Sequence, residues 1–200
     1  SAWWYTGSYQ VPVRTLTDGI TKDIMMIEEV IGTGEIAISD HRSSQPTFEE
    51  FARLTADTRL GGILSGKAGV VNVHLGGSPR CMDLIERVIS ETEIPTSQFL
   101  PTHVNRNERL FQKAIAYALK GGNVDFTGNE NIDYEETISD EVRVCKGIRR
   151  MLDAGVDPKH ITISSDGQGS MPRFSKEGVF LGMGVGQSSC LLKEVKECVE

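Results

Sequence analysis

Short β-branched segments alternate with amphipathic segments along this chain, and this alternation limits the folds it can adopt. Strands are expected at residues 36–39, 70–74, 99–103, 124–126 and 161–164, with a weaker extended segment at 10–16. Helices are expected at residues 21–31, 47–58, 78–92, 107–120, 139–154 and 189–199. The strand centres are roughly 25 to 40 residues apart, which is the length of a βα unit. This pattern predicts a parallel sheet whose faces are covered by helices.

Two architectures have such a sheet, the doubly wound sheet and the (β/α)₈ barrel. The five or six βα units fall short of the eight strands of a closed barrel, which takes about 250 residues. No linker rich in proline, glycine or serine divides the 200 residues. We therefore expect an α/β fold in which residues 1–200 form a single, incomplete portion of a TIM-like barrel.

The net charge and the cysteine content limit the binding partners and the cellular compartment that we expect for this protein. The net charge of −7 argues against a nucleic acid or an anionic membrane as a partner. No apolar segment approaches the roughly 20 residues that cross a bilayer, and no secretory signal is present in the sequence. The four cysteines are widely spaced without a CxxC pair, which favours reduced thiols and a cytoplasmic location.

Polar side chains recur where the expected strands end. Asp40, His74, His103 and Asp166 each stand at the carboxyl end of a different strand. In a barrel these ends meet at one mouth, where active sites are built. Imidazoles and carboxylates that arrive from separate strands are the ligands that Zn²⁺ accepts. By contrast, segment 182–186 lacks the third glycine of a dinucleotide-binding motif and is interpreted as a flexible turn.

Five motifs together resemble a known family. They are YTGSY at 5–9, ISDHRS at 38–43, VHLG at 73–76, LPTHVNRN at 100–107 and SSDGQGS at 164–170. In this order they resemble the isoaspartyl (β-aspartyl) dipeptidases of the amidohydrolase superfamily. The resemblance implies a metal-dependent (β/α)₈ barrel with two zinc ions, a small β-sandwich, and a homo-oligomer. It also implies hydrolysis of small acidic β-aspartyl dipeptides by a metal-bound hydroxide.

The same resemblance assigns a role to each matching residue. His74 and His103 would hold one zinc ion. Asp166 would hold the other and would also carry the proton from the hydroxide to the leaving amine. The substrate would be bound by Arg42, Arg106 and Ser170, and Tyr9 would polarise the scissile carbonyl. The two arginines make chemical sense, because a guanidinium offers two parallel donors to a carboxylate.

Two departures from the family pattern matter. The family's first strand carries a His-x-His pair, and no such pair occurs in these residues. The resemblance thus implies an internal fragment that lacks the sandwich, and these 200 residues alone are expected to be inactive. Glu35 stands where the family has a carboxylated lysine that bridges the metals. Since glutamate presents a similar two-oxygen anion, we expect Glu35 to be a metal ligand.

Two other functions remain open at this point. A cyclic-amide hydrolase such as a dihydroorotase or hydantoinase would share the barrel and the metals. A non-catalytic barrel that binds an acidic ligand would share the architecture without the chemistry.

Overall fold

The structure, a computed structural model, describes residues 2–128, 140–175 and 179–199. The chain divides into two compact units. Unit 1 comprises Ser1–Thr102 with Lys120–Asn123, and unit 2 comprises His103–Leu119 with Val124–Glu200.

Unit 1 alternates strands and helices. Its elements are β1 (Trp4–Thr6), α1 (Ile20–Met26), β2 (Val30–Ile38), α2 (Phe48–Ser65), β3 (Val70–Leu75), α3 (Asp83–Glu91), a 3₁₀ turn (Thr96–Gln98) and β4 (Phe99–Thr102). The four strands are parallel and lie side by side in chain order. Buried apolar residues of these strands and of α2 form the core. In it, the rings of Phe51 and Phe99 stack with their centroids 5.7 Å apart.

Unit 2 continues the same alternation and then changes it. Its elements are α4 (Glu108–Ala118), β5 (Val124–Thr127), α5 (Val144–Asp153), a 3₁₀ turn (Pro158–His160), β6 (Ile161–Ser164), β7 (Ser170–Phe174), β8 (Phe180–Val185) and α6 (Cys190–Val199). Strands β5 and β6 are parallel, whereas β7 and β8 are antiparallel. The core of this unit includes Phe111 and Phe126, whose rings meet edge to face.

The expected α/β class with parallel strands is confirmed. Closure into a barrel stays a prediction, and so does the assignment of residues 1–200 to a single portion of one. In the described part of the chain, no helix is both long enough and apolar enough to cross a membrane.

Strand β2 differs most from its sequence prediction. It runs over nine residues from Val30, whereas a helix was predicted as far as residue 31 and a strand only over 36–39. Gly32 and Gly34 are strand residues that allow β2 to approach β3 closely. A Cβ atom on Gly34 would lie 2.8 Å from Cβ of Asn72, closer than side chains tolerate. Glycine is required here by the neighbouring strand.

The expected helix starts at residues 47 and 107 are confirmed. The Thr47 side chain accepts a hydrogen bond from the N–H of Glu50, and the Glu50 carboxylate accepts one from the N–H of Thr47, which makes a capping box. The helix that follows continues to Ser65 and ends at Gly66, with a left-handed φ of 69°, instead of stopping at 58. Asn107 caps α4 in a similar way.

Four other predictions of secondary structure were wrong in whole or in part. Segment 10–16 is not a strand; Pro12 lacks an N–H, and the N–H of Leu16 donates to Asp23. Segment 182–186 belongs largely to β8 and is not a flexible turn. Helix α3 begins at Asp83, after a turn over 78–82, and α5 begins at Val144. The first residue of the predicted helix 139–154 lies outside the described residues.

Candidate metal centre

Glu35 and His74 lie next to each other in unit 1. His74 is near the end of β3, opposite Ala37 of β2, and Glu35 is two residues before Ala37. The pairing of β2 with β3 is irregular between Thr33 and Ile36, and in this segment the Glu35 carboxylate is directed towards the imidazole. Its Oε2 atom lies 3.4 Å from Nδ1 of His74. The imidazole is 2% exposed, so this nitrogen is largely shielded from solvent.

Tyr9 reaches the same nitrogen from the loop after β1. The backbone carbonyl of Tyr9 accepts a hydrogen bond from the N–H of Ala37, which fixes this loop against β2. Its hydroxyl oxygen lies 2.9 Å from Nδ1 of His74, and the two ring centroids are 4.6 Å apart. The sequence prediction placed Tyr9 at the site, and the structure brings it into contact with the proposed metal ligand His74.

Asp40 faces the other nitrogen of His74. Its Oδ2 atom is 3.0 Å from Nε2, and its side chain is only 4% exposed. The guanidinium of Arg42 binds the same carboxylate with two donors, Nε at 3.0 Å and Nη2 at 2.8 Å. This pairing with Arg42 holds the pKa of Asp40 well below its usual range, so the carboxylate is ionised.

His103 is the first residue of unit 2 and follows the last residue of β4 directly. It is buried, and its left-handed φ of 63° ends the strand. Its Nδ1 atom lies 2.5 Å from the hydroxyl of Thr127. The next residues hold to β5: Val104 donates its N–H to the carbonyl of Asp125, and the Asn105 side chain bonds to both the N–H and the carbonyl of Thr127.

The pairing of β4 with β3 shows where the chain places His103 along the strands. Thr102 lies opposite His74 in the pairing of β3 with β4. His103 is bonded to Thr102, and consecutive Cα atoms are about 3.8 Å apart. The two histidines therefore come from the ends of neighbouring parallel strands, as their sequence positions predicted.

The donor set fits a metal ion. Within the described part of the chain, the candidate ligands are Glu35 and His74 of unit 1 and His103, which directly follows β4. Two imidazoles and a carboxylate suit zinc and other borderline divalent cations, whereas a hard cation such as Mg²⁺ prefers oxygen ligands. Asp166 is not a member of this group, and its predicted metal role stays a prediction.

Asp166 and Ser170 lie in unit 2 at the turn between β6 and β7. Asp166 is half-buried with a left-handed φ of 47°, and its carbonyl accepts a hydrogen bond from the N–H of Gly169. Ser170 is exposed and begins β7, where it pairs with Val185. Backbone hydrogen bonds therefore fix the chain at both of these predicted site residues, which are four positions apart.

Arg106, the second predicted carboxylate-binding residue, is half-buried in unit 2. Its charge acts on Glu141, which precedes α5. Burial raises the pKa of the Glu141 carboxyl to about 7, although the positive charge of Arg106 opposes this shift and the negative charge of Glu194 adds to it. The Glu141 carboxyl thus lies in the electrostatic field of Arg106.

Sequence reasoning did not predict the contact of Asp40 with His74 or the raised pKa of Glu141. Asp40 carried a signal, since it stands at a strand end two residues before Arg42, but its partner His74 is 34 residues away. The neighbouring His41, by contrast, has a 91% exposed side chain. Glu141 carried no local signal, because its burial depends on how the chain folds around it.

Two solved structures resemble this chain over nearly its whole length. No family model matches the chain. Two crystal structures of β-aspartyl dipeptidase from the thermophilic, keratin-degrading Fervidobacterium islandicum AW-1 do match. One, in complex with β-Asp-Leu dipeptide, is 42% identical with a TM-score of 0.87. The other is 38% identical with a TM-score of 0.83. The resemblance to the β-aspartyl dipeptidases is confirmed.

The similarity to these β-aspartyl dipeptidases extends over 98% of this chain in both comparisons. The chain spans about half the length of each dipeptidase, 49% of one and 48% of the other.

Proposed function

We propose that this chain provides much of the active site of a zinc-dependent β-aspartyl dipeptidase. The observation that carries this proposal is the 42% identity, over nearly the whole chain, to a dipeptidase that was crystallised with β-Asp-Leu. The candidate ligands Glu35, His74 and His103 support it, because these residue types are zinc ligands.

The metal ligands proposed are Glu35, His74, His103 and Asp166. Two bound zinc ions would supply an activated water at neutral pH and would polarise the amide carbonyl of the substrate. Glu35 would contribute negative charge that offsets the charge of the two dications. Glutamate brings this charge permanently, whereas a carboxylated lysine depends on CO₂.

The remaining residues would bind the substrate and move its protons. A β-aspartyl dipeptide carries two free carboxylates, for which Arg42 and Arg106 each provide a guanidinium fork. Ser170 would help to hold the substrate through its hydroxyl. Tyr9 would donate its phenolic hydrogen to the scissile carbonyl oxygen. Asp166 would take a proton on its carboxylate and give it to the leaving amine, as a general base and then a general acid.

We also propose a binding partner, a location and an oligomeric state for the enzyme. The partner would be a small acidic dipeptide, with neither nucleic acid nor membrane involved, and the enzyme would be a cytoplasmic homo-oligomer. The net charge of −7 supports the first part, because polyanions would be repelled.

A substrate panel on the full-length protein tests the reaction. We expect β-Asp-Leu to be hydrolysed, whereas α-Asp-Leu and the cyclic amide dihydroorotate are poor substrates. Preferred turnover of dihydroorotate would instead indicate the cyclic-amide hydrolase. Absence of turnover on all three, with less than about one zinc ion per chain, would indicate a non-catalytic barrel that binds an acidic ligand.

A pair of variants tests the metal site within the same experiment. His74→Asn should lose zinc and activity together. His160→Asn is the matched control, because His160 lies in the 3₁₀ turn before β6 and takes no part in the proposed site. Equal zinc content in the two variants would contradict the proposed ligand set.

A further inference from the structure

Asp40 contacts both a proposed metal ligand and a proposed substrate-binding residue. Its Oδ2 atom lies 3.0 Å from Nε2 of His74 and 2.8 Å from Nη2 of Arg42. Its Oδ1 atom accepts from Nε and from the backbone N–H of Arg42, at 3.0 and 2.7 Å. A carboxylate that is 4% exposed, with both oxygens engaged, is held in one orientation.

The chemistry of these contacts determines which imidazole nitrogen carries the hydrogen. An ionised carboxylate can only accept hydrogen bonds, so a neutral His74 must donate from Nε2 to Asp40. Nδ1 then carries the lone pair. This is the nitrogen that lies 3.4 Å from the Glu35 carboxylate and 2.9 Å from the hydroxyl of Tyr9, and in this tautomer it can accept a hydrogen bond from that hydroxyl.

Arg42 would favour the opposite arrangement if it acted alone. Its Nη2 atom is 3.2 Å from Nε2 of His74, and a guanidinium can only donate. A hydrogen bond from Arg42 would need a lone pair on Nε2 and would leave the hydrogen on Nδ1. Metal binding through Nδ1 would then be blocked. Asp40 prevents this, because it accepts from both neighbours at the same oxygen.

We propose that Asp40 is a positioning residue of the metal centre, which holds His74 as the Nε2–H tautomer so that Nδ1 binds the metal, and which fixes Arg42 beside it. This inference rests on the proposed function, since it takes His74 as a metal ligand and Arg42 as a carboxylate-binding residue. It adds a residue that couples the two tasks. Carboxylates behind metal-binding histidines typically contribute 10- to 100-fold to metal affinity.

The first test measures zinc affinity of the metal-free, full-length protein by competition with a chelating dye. Asp40→Asn should bind zinc about 10- to 100-fold more weakly than the wild type. Asp40→Ala/Arg42→Ala should bind zinc more tightly than Asp40→Ala, because the competing donor has been removed. A purely structural role for Asp40 predicts the reverse order, since the second truncation would only add damage.

Two control variants separate positioning from general damage. Asp23→Asn changes another buried aspartate of unit 1, whose carboxylate accepts hydrogen bonds from Thr6 and Thr17. It should lower the thermal unfolding temperature without weakening zinc binding. Asp57→Asn makes the same change at an exposed site on α2 and should alter neither property.

The kinetic constants for β-Asp-Leu provide a second readout. With zinc present at saturation, Asp40→Asn should raise KM, because Arg42 is no longer held in place. The ¹⁵N chemical shifts of the neutral His74 ring in the zinc-free wild type provide a third, which requires no variant. They should show hydrogen on Nε2, and hydrogen on Nδ1 would overturn the proposal.

The failure of this inference can be distinguished from failure of the proposed function. If His74→Asn loses zinc but Asp40→Asn binds zinc as tightly as the wild type, the role of Asp40 is wrong and the metal site stands. If His74→Asn keeps its zinc, the metal site is wrong and the role of Asp40 is overturned with it.

Discussion

Asp40 and His74 form a buried hydrogen bond of 3.0 Å between the ends of two neighbouring strands. Asp40 follows β2 after a single residue, Ser39, whose left-handed φ of 55° ends the strand. His74 is still part of β3. The chain thus changes its backbone conformation at Ser39, and the next residue, Asp40, places its carboxylate against the imidazole of His74.

Replacing either proposed carboxylate-binding arginine with lysine should impair use of the dipeptide. Lysine keeps the positive charge but loses the two-donor fork, and a charged hydrogen bond contributes about 1.5–3 kcal/mol. We expect kcat/KM for β-Asp-Leu to fall roughly 10- to 100-fold in Arg42→Lys and in Arg106→Lys. Arg109→Lys, at an exposed position of α4, is the control. Unchanged kinetics in both variants would show that neither arginine binds a carboxylate of the substrate.

Glu35→Gln should cost the protein at least one metal ion and nearly all activity. Glutamine keeps the shape of the side chain but removes the charge that offsets two dications. Metal analysis of the purified full-length variant provides the measurement. Reconstitution of the wild-type apoenzyme should not respond to added bicarbonate, whereas Glu35→Lys should regain some activity only when bicarbonate is present. Full metal content in Glu35→Gln would show that Glu35 is not a ligand.

The half-buried side chain of Glu141 should make stability depend on pH. Its pKa in the folded protein is about 7, above its usual value of 4.5. The folded state therefore binds the proton more tightly, so this contribution is complete below pH 4.5 and is lost as the pH rises towards 7. The contribution of this group to the free energy of unfolding is on the order of 3 kcal/mol at low pH.

Thermal unfolding at pH 5 and pH 8 checks this expectation. Glu141→Gln is neutral at both values, so its unfolding temperature should fall less between them than that of the wild type. Glu93→Gln, at an exposed position, should behave like the wild type. An equal fall in all three proteins would mean that Glu141 titrates normally.

The capping box of α2 should contribute measurably to stability. Thr47→Ala removes the hydroxyl that accepts from the N–H of Glu50 at 3.3 Å, and we expect a loss of about 1 kcal/mol in the free energy of unfolding. Thr47→Ser retains the hydroxyl and should lose much less. Denaturant titration distinguishes the two, and equal losses would exclude the capping interaction.

The sequence predicted the elements whose signals are local. Thr47 with Glu50 and the side chain of Asn107 mark helix starts through contacts within one turn, and those starts are confirmed. Both expected strands that end in a histidine are strands in the structure, although β3 extends one residue past His74 and β4 ends one residue before His103. The ends are predictable because β-branched residues and caps act within a few residues of themselves.

What the sequence could not predict depends on distant neighbours. Gly32 and Gly34 have the composition of a turn, and only the close approach of β3 makes them strand residues. The partner of Asp40 is likewise 34 residues away. Both cases depend on the pairing of β2 with β3, which no local pattern specifies.

The central claim is that this chain's residues bind the metal that β-aspartyl dipeptide hydrolysis requires. A zinc titration of the metal-free, full-length protein, followed by the release of aspartate from β-Asp-Leu, tests it most directly. We predict no hydrolysis without metal, and activity that rises with zinc to a plateau near two ions per chain, with no recovery in His74→Asn. Undiminished hydrolysis in the metal-free protein would contradict the account.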